Sequence, residues 1–158
     1  MMAALFAARE GASVTLIDHN EKLGKKVYIT GKGRCNVTNA ADMEQFMRCI
    51  CRNPRFMYAA FAQLDNRGVM ALLEDLGVPL KVERGERVFP VSDKASDIIH
   101  ALSRELNRLH VDIRLNTGVE SLVIEEGACR GVRLSDGDTL SADAVDRKST
   151  RLNSSHSV

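Results

Sequence analysis

Residues 2–18 read Met-Ala-Ala-Leu-Phe-Ala-Ala-Arg-Glu-Gly-Ala-Ser-Val-Thr-Leu-Ile-Asp. The first eight are strong helix formers with almost no polar face, which predicts a buried helix. Gly11 follows as a C-cap. Ser13–Asp18 is a β-branched run ending in a carboxylate, the pattern of a parallel strand covered on both faces. Helix, tight turn, buried strand and acid together make the second half of a βαβ unit. A complete nucleotide-binding unit begins with a strand and a glycine-rich turn. Here Met1 falls inside the helix. The expected class is therefore α/β, a partial Rossmann-like unit lacking its first strand and glycine-rich turn.

The rest of the chain extends this reading. Asn20–Lys26 is a polar connector and Val27–Ile29 a short apolar piece, leading to a glycine-rich polar loop over 30–39. Asp42, with Gln45 three residues on, predicts a capped helix to about Cys51. Pro54 opens a helix over 55–64. Asp65 or Asn66 caps another over 67–76, closed by Gly77 and Pro79. Leu80–Arg84 alternates like an exposed strand, Gly85-Glu86 turns, and Arg87–Pro90 is extended. Ser92 or Asp93 caps a helix over 94–109, whose apolar positions Ala95, Ile98, Ile99, Leu102, Leu106 and Leu109 follow the helical period. A strand over 111–115 precedes a small antiparallel meander over 119–125, 129–134 and 139–145, with Gly127 and Asp136-Gly137 as turns.

From Asp146 the composition turns polar and aperiodic. The string through His156 is similar to the translation of a common DNA-library adapter, so residues 146–158 are expected to be a non-native, disordered tail. Residues 1–145 are expected to form one partial domain.

The bulk numbers exclude several classes. The chain has 158 residues, 44% hydrophobic and 27% charged, a globular balance. A net charge of +1 gives no global attraction to nucleic acid or membrane. No apolar run has the length of a span, and the start lacks a signal-peptide layout. The four cysteines (Cys35, Cys49, Cys51 and Cys129) show no paired CxxC spacing, so no metal site is expected. Cys49 and Cys51 would diverge by roughly 200° on a helix. A cytoplasmic protein with reduced thiols follows, in which the Asn36 and Asn153 glycosylation triplets carry no meaning.

Two places carry candidate chemistry. Asp18, at a strand end, suits the acid that binds adenosine ribose hydroxyls; a plain solvated aspartate is the open alternative. The loop Thr30-Gly-Lys-Gly-Arg-Cys-Asn-Val-Thr-Asn39 is the more informative. Gly31 and Gly33 allow positive φ and close approach of a ligand to the backbone. Arg34 can pair with a pyrophosphate, and Asn36, Thr38 and Asn39 can meet a flat heteroaromatic edge. Cys35 is either a low-pKa thiol or a small packing residue. Lys25, Lys26 and Lys32 are either solvated or attract phosphates. A surface turn is the competing reading of the loop, and it lacks the ending of a Walker loop.

Gly24-Lys-Lys, Ile29–Asn39 and Arg87-Val-Phe-Pro-Val-Ser-Asp-Lys-Ala-Ser96 resemble a family of bacterial NAD(P)/FAD-dependent oxidoreductases, YhiN/HI0933-like or BaiN-like. The likeness covers residues 1–145. It implies a Rossmann-like FAD-binding domain interrupted by a second domain. It also implies FAD contacts at Gly31, Gly33, Arg34, Cys35 and Asn36, a ribose contact at Asp18, and an adenine contact near Val119. NAD(P)H is the candidate reductant, and a small molecule, not nucleic acid, the expected substrate. A non-catalytic nucleotide-binding module or an inactive truncated fragment is the rival. A flavoprotein acting on tRNA is a third reading, unsupported by the charge.

Overall fold

The computed structural model describes residues 1–147, so the tail expected over 146–158 lies almost wholly outside the described residues. Its elements are α1 (Met2–Arg9), β1 (Thr15–Ile17), α2 (Lys25–Ile29), β2 (Thr38–Asn39), α3 (Met43–Arg48), α4 (Tyr58–Gln63), α5 (Asn66–Asp75), β3 (Leu80–Glu83), β4 (Arg87–Pro90), α6 (Ala95–Arg108), β5 (Asp112–Arg114), β6 (Val119–Glu125), β7 (Ala128–Leu134) and β8 (Thr139–Ser141). The class is α/β and Rossmann-like, as expected. The chain forms two compact units, one of residues 1–16 and 22–112, the other of residues 17–21 with the described residues from 113 onward. Strands β1 and β5 pair, and both pass from the first unit into the second. Asp112 N donates to Val14 O and Asp18 N to Arg114 O, a pattern that advances in the same direction along both strands and makes the pair parallel.

In the first unit α1 packs on α6. Of the stripe its period predicts, α6 buries Ala95, Ile98, Leu102 and Leu106, while Ile99 and Leu109 are half-buried; Ala101 is buried as well. The expectation for α1 needs correction. Only Ala4 and Leu5 are buried, and Ala3 and Ala7 are exposed. An alanine methyl costs little in water, so this sequence tolerates one open face. A short sheet ordered β2-β4-β3 lies antiparallel. Its central strand β4 contributes the buried residues Val88, Phe89 and Pro90. Asp42 caps α3 by accepting from Gln45 N at 2.8 Å, and Asp65 caps α5 by accepting from Gly68 N at 2.6 Å. Gly77, at φ +85°, ends the turn after α5.

Four boundaries differ from expectation. Helix α3 ends at Arg48 rather than near Cys51. The segment after Pro54 first makes a 3₁₀ turn over Pro54–Met57 before α4 begins. Lys25–Ile29 is helical where the end of a polar connector and a short apolar piece were expected. Its N-cap Gly24, at φ +70°, would press any Cβ to 2.7 Å from the Ile99 side chain. Helix α6 has Lys94 at its N-cap with no side-chain cap bond, because the Asp93 carboxylate is held elsewhere, as described below.

The second unit is the meander. β6, β7 and β8 pair antiparallel in sequence order. Gly131, buried in β7, would bring a Cβ to 2.0 Å from Leu140 O, so only glycine lets β8 approach. β8 stops at Ser141, short of the expected Val145. Its last contact is Ala142 N donating to Arg130 O, two residues from the start of β7.

Candidate functional site: the left-handed loop and its clamp

The loop over 30–39 owes its shape to backbone conformations that ordinary residues avoid. Gly31 (φ +56°), Lys32 (φ +58°), Gly33 (φ +86°) and Cys35 (φ +59°) all lie in the left-handed region. Each non-glycine residue there costs about 1–2 kcal/mol. A Cβ on Gly31 would stand 2.9 Å from Asn36 N and 3.5 Å from Phe89 Cε1, so the loop closes on itself at this point. Gly33 differs: the nearest atom to its Cβ position is Tyr28 O at 4.0 Å. On the side a Cβ would take, the loop is closed at Gly31 and open at Gly33; Gly31 itself is exposed and Gly33 half-buried. Beside it Tyr28 and Ile29 are 53% and 66% exposed and leave apolar surface uncovered.

Strand β4 holds the loop. Val37 N donates to Val88 O, and Thr38 and Asn39 pair with Val88 and Arg87. With the Asn36 amide turned so that nitrogen meets acceptors, it donates to Thr38 O at 3.0 Å and Val88 O at 3.2 Å. That amide nitrogen secures the loop to β4, and the residue is exposed. Asn39 Nδ2 donates to Gly85 O at 2.8 Å. From α5, the buried Asn66 donates to Asn39 O at 2.6 Å and Ala41 O at 2.9 Å. The segment 87–96, singled out with the loop in the sequence, is its scaffold.

Arg34 has a use that its sequence position did not show. Its Nε and Nη2 donate to Asp93 Oδ1 at 2.9 and 2.6 Å, and its Nη1 to Glu83 Oε2 at 3.3 Å; Nη2 also pairs with Glu83 Oε1. The guanidinium lies 4.2 Å from the centre of the Phe89 ring. Lys81 Nζ completes the cluster, 2.8 Å from Asp93 and 3.5 Å from Glu83. Hydrogen bonds from Arg34 and then Lys81 hold Glu83 below the ordinary carboxylate value. Lys81 and then Arg34 do the same for Asp93. The Arg34 charge is therefore matched by two carboxylates of this chain. Sequence reading missed Lys81, Glu83 and Phe89 as partners. Asp93 was visible only as a candidate helix cap.

Cys35 resolves in favour of packing. Its side chain is 6% exposed, and burial pushes the thiol up, only partly offset by a hydrogen bond with Thr30. A buried thiol of this kind is the packing alternative rather than the low-pKa one. Lys25 and Lys32 are exposed, and Thr38 is half-buried in β2.

The remaining two candidates belong to the second unit. Asp18 stands at the end of β1. Its Oδ1 accepts from Asn20 N at 3.0 Å and Asn20 Nδ2 at 2.8 Å, and His19 Nδ1 lies 3.6 Å away. Asp18 O accepts from Thr117 N, and Val119 opens β6 two residues later. The fold thus brings Asp18 and the approach to Val119 together in one unit, and Lys25, Gly31, Gly33, Arg34, Cys35, Asn36 and Thr38 together in the other. Among the described residues no group of three His, Cys, Asp or Glu could hold a metal ion, and no helix is long and apolar enough to cross a membrane.

A parallel strand pair with an acid at the strand end agrees with a Rossmann-type fold. The chain belongs to the HI0933-like family: the model of the HI0933-like protein Rossmann domain matches residues 1–145. It is 33% identical over 151 residues to the 3-dehydro-bile acid delta(4,6)-reductase of Clostridium scindens, covering 92% of this chain and 35% of that protein. It is 29% identical over 126 residues to the ribosomal RNA dihydrouridine synthase of Escherichia coli, covering 80% of this chain and 31% of that protein. The counterpart in Haemophilus influenzae is 27% identical over 124 residues, covering 76% and 30%. The chain thus spans about a third of the length of these relatives. The crystal structure of Thermovibrio ammonificans THI4 shares the fold, with a TM-score of 0.55 at 11% identity over 84% of this chain and 42% of that one.

Proposed function

We propose that this chain supplies part of the FAD-binding domain of an oxidoreductase that transfers hydride between FAD and either NAD(P)H or an organic substrate. The observation that carries the reading is the left-handed loop itself, with Gly31 exposed and free space on the Cβ side of Gly33, a cradle to which a flat, phosphorylated ligand can come close. When bound, FAD supplies the hydride chemistry. The chain's own residues supply binding. In the first unit the Gly31–Asn36 backbone faces the cofactor and Lys25 and Lys32 draw its phosphates; in the second unit, taken by itself, Asp18 is the residue suited to ribose hydroxyls and the strand start at Val119 the one suited to adenine. In this reading Arg34, Cys35 and Thr38 shape the loop. The family membership supports the reading, as does a chemical likeness between the relatives. A delta(4,6)-reductase and a dihydrouridine synthase, by their names, both saturate a carbon–carbon double bond conjugated to a carbonyl. The proposed substrate class is such an unsaturated carbonyl compound, with NAD(P)H as reductant in the cytoplasm. The four free cysteines agree with that compartment.

A small molecule is the first reading of the substrate. A uracil within RNA is the second, favoured by the segment between Glu44 and Asp65. That segment carries Arg48, Arg52 and Arg55, no acid, and the exposed rings of Phe56 (85%) and Tyr58 (58%). Arginines interleaved with open rings suit single-stranded bases.

The test of the cofactor is a titration of FAD into the chain, read by quenching of flavin fluorescence, with Gly33→Ala as control. The Gly33 variant meets open space and loses about 1–2 kcal/mol to its left-handed φ, so thermal melting separates folding from binding. Saturable binding that weakens in a folded Gly33→Ala supports the reading. Quenching that does not saturate, or that the folded variant leaves unchanged, refutes it.

A further inference from the structure

We propose that Glu83 and Asp93 are positioning residues for the cofactor loop: through Arg34 they hold the Gly31–Cys35 backbone in the one shape that leaves the Cβ side of Gly33 open. The inference rests on the reading of the loop as a cofactor cradle and deepens it. Three observations carry it. First, a run with four left-handed residues, two of them not glycine, does not keep that shape by local preference and needs an outside restraint. Second, Arg34 lies within this run and reaches out of it to carboxylates 49 and 59 residues away, by hydrogen bonds from Nε and both Nη atoms. A planar fork held at several points fixes orientation as well as distance. Third, Asp93 stands in the left-handed region itself, at φ +57°, and α6 begins without a side-chain cap. The carboxylate best placed to cap that helix faces Arg34 and Lys81 instead.

Phe89 completes the device. Its ring lies against the Arg34 guanidinium on one side, and its Cε1 sits 3.5 Å from the position a Gly31 Cβ would take. The cluster of Arg34, Lys81, Glu83 and Asp93 sums to zero charge. It therefore holds the loop without adding net charge, and phosphate attraction is left to the exposed lysines.

Cys35 is a built-in reporter, because it is buried at the end of the left-handed run. The experiment replaces Cys49, Cys51 and Cys129 by serine in the 158-residue chain, so that Cys35 is the sole thiol, and follows its reaction with a disulfide reagent under native conditions. In that background Glu83→Gln and Asp93→Asn together are expected to raise the labelling rate about tenfold, since local opening is what exposes a buried thiol. Glu83→Gln with Asp93→Glu, which keeps the charge at 93, is expected to restore the rate to within about threefold. A salt series distinguishes the clamp from general loosening. One molar chloride is expected to raise the rate of the parent and leave the double variant unchanged. FAD affinity, measured in parallel, is expected to fall in the double variant and recover with Asp93→Glu. The proposal is overturned if the double variant melts as the parent does and labels within about twofold of it. It is also overturned if Glu83→Gln with Asp93→Glu labels as fast as Glu83→Gln with Asp93→Asn. Loss of FAD binding in every protein, the parent included, counts against the cofactor reading, and the labelling rates still decide the clamp.

Discussion

Replacing Glu105 by glutamine should weaken the first unit at neutral pH and matter much less in acid. Glu105 lies on α6 and is 7% exposed. Arg108 donates to it at 2.7 and 2.9 Å from the same helix, and Arg9 at 2.8 and 3.2 Å from α1. Hydrogen bonds from Arg108 and then Arg9 outweigh burial and pull its carboxyl from the ordinary 4.5 down to about 2. A depression of that size corresponds to at most about 3 kcal/mol between the two protonation states. Arg9 and Arg108 are 35% and 67% exposed, so water screens the pair and the orphaned arginines re-solvate. We therefore expect Glu105→Gln to lose about 2 kcal/mol. The folded value is the depressed one, so the stabilisation is complete above about pH 4.5 and is lost as pH falls through about 2. Linkage leaves about two-fifths of it at about pH 3. Urea unfolding of parent and variant, followed by circular dichroism at low salt, should show a gap of about 2 kcal/mol near pH 7 and about 0.8 near pH 3. An equal gap at both pH values would mean that shape rather than charge joins α1 to α6. A gap under about 0.5 kcal/mol at neutral pH would mean that the pair contributes nothing measurable.

Two further changes probe the framework. Asn66→Ala strips the donor from Asn39 O and Ala41 O and should cost about 1–3 kcal/mol in urea unfolding, with faster amide exchange over 37–41. Gly131→Ala drives a methyl into Leu140 O and should cost more than about 2 kcal/mol, with β8 released first in hydrogen exchange; unchanged protection of 139–141 would contradict the close strand approach.

The legible parts of this chain are those whose causes are local. Asp42 and Asp65 announced helices because a cap acts within three residues. The stripe from Ala95 to Leu106 announced α6 because burial follows the helical period, and the glycines at 127 and 137 marked the meander. Helix α2 escaped because five residues give too little period and Val27-Tyr-Ile29 favours an extended reading by type. The start of α6 was misjudged because Asp93 answers to Arg34, 59 residues earlier, rather than to its own helix. The same distance hid the partners of Arg34. The glycines of the loop could be read as permissive, yet only the fold shows that the Cβ side is closed at Gly31 and open at Gly33. The exposed face of α1 follows from what packs against it, which its own composition does not record.

Asn66 ties distant parts of the first unit together. A single carboxamide, on a helix that presents none of the candidate residues, closes both of its hydrogens on the carbonyls just beyond the cradle. The far end of the cradle is thereby keyed to the rotation of α5 about its own axis. Turning that helix by one residue would carry the amide out of reach of both oxygens, so sequence drift along α5 is answerable to the shape of the 30–39 loop even where no atom of α5 belongs to it.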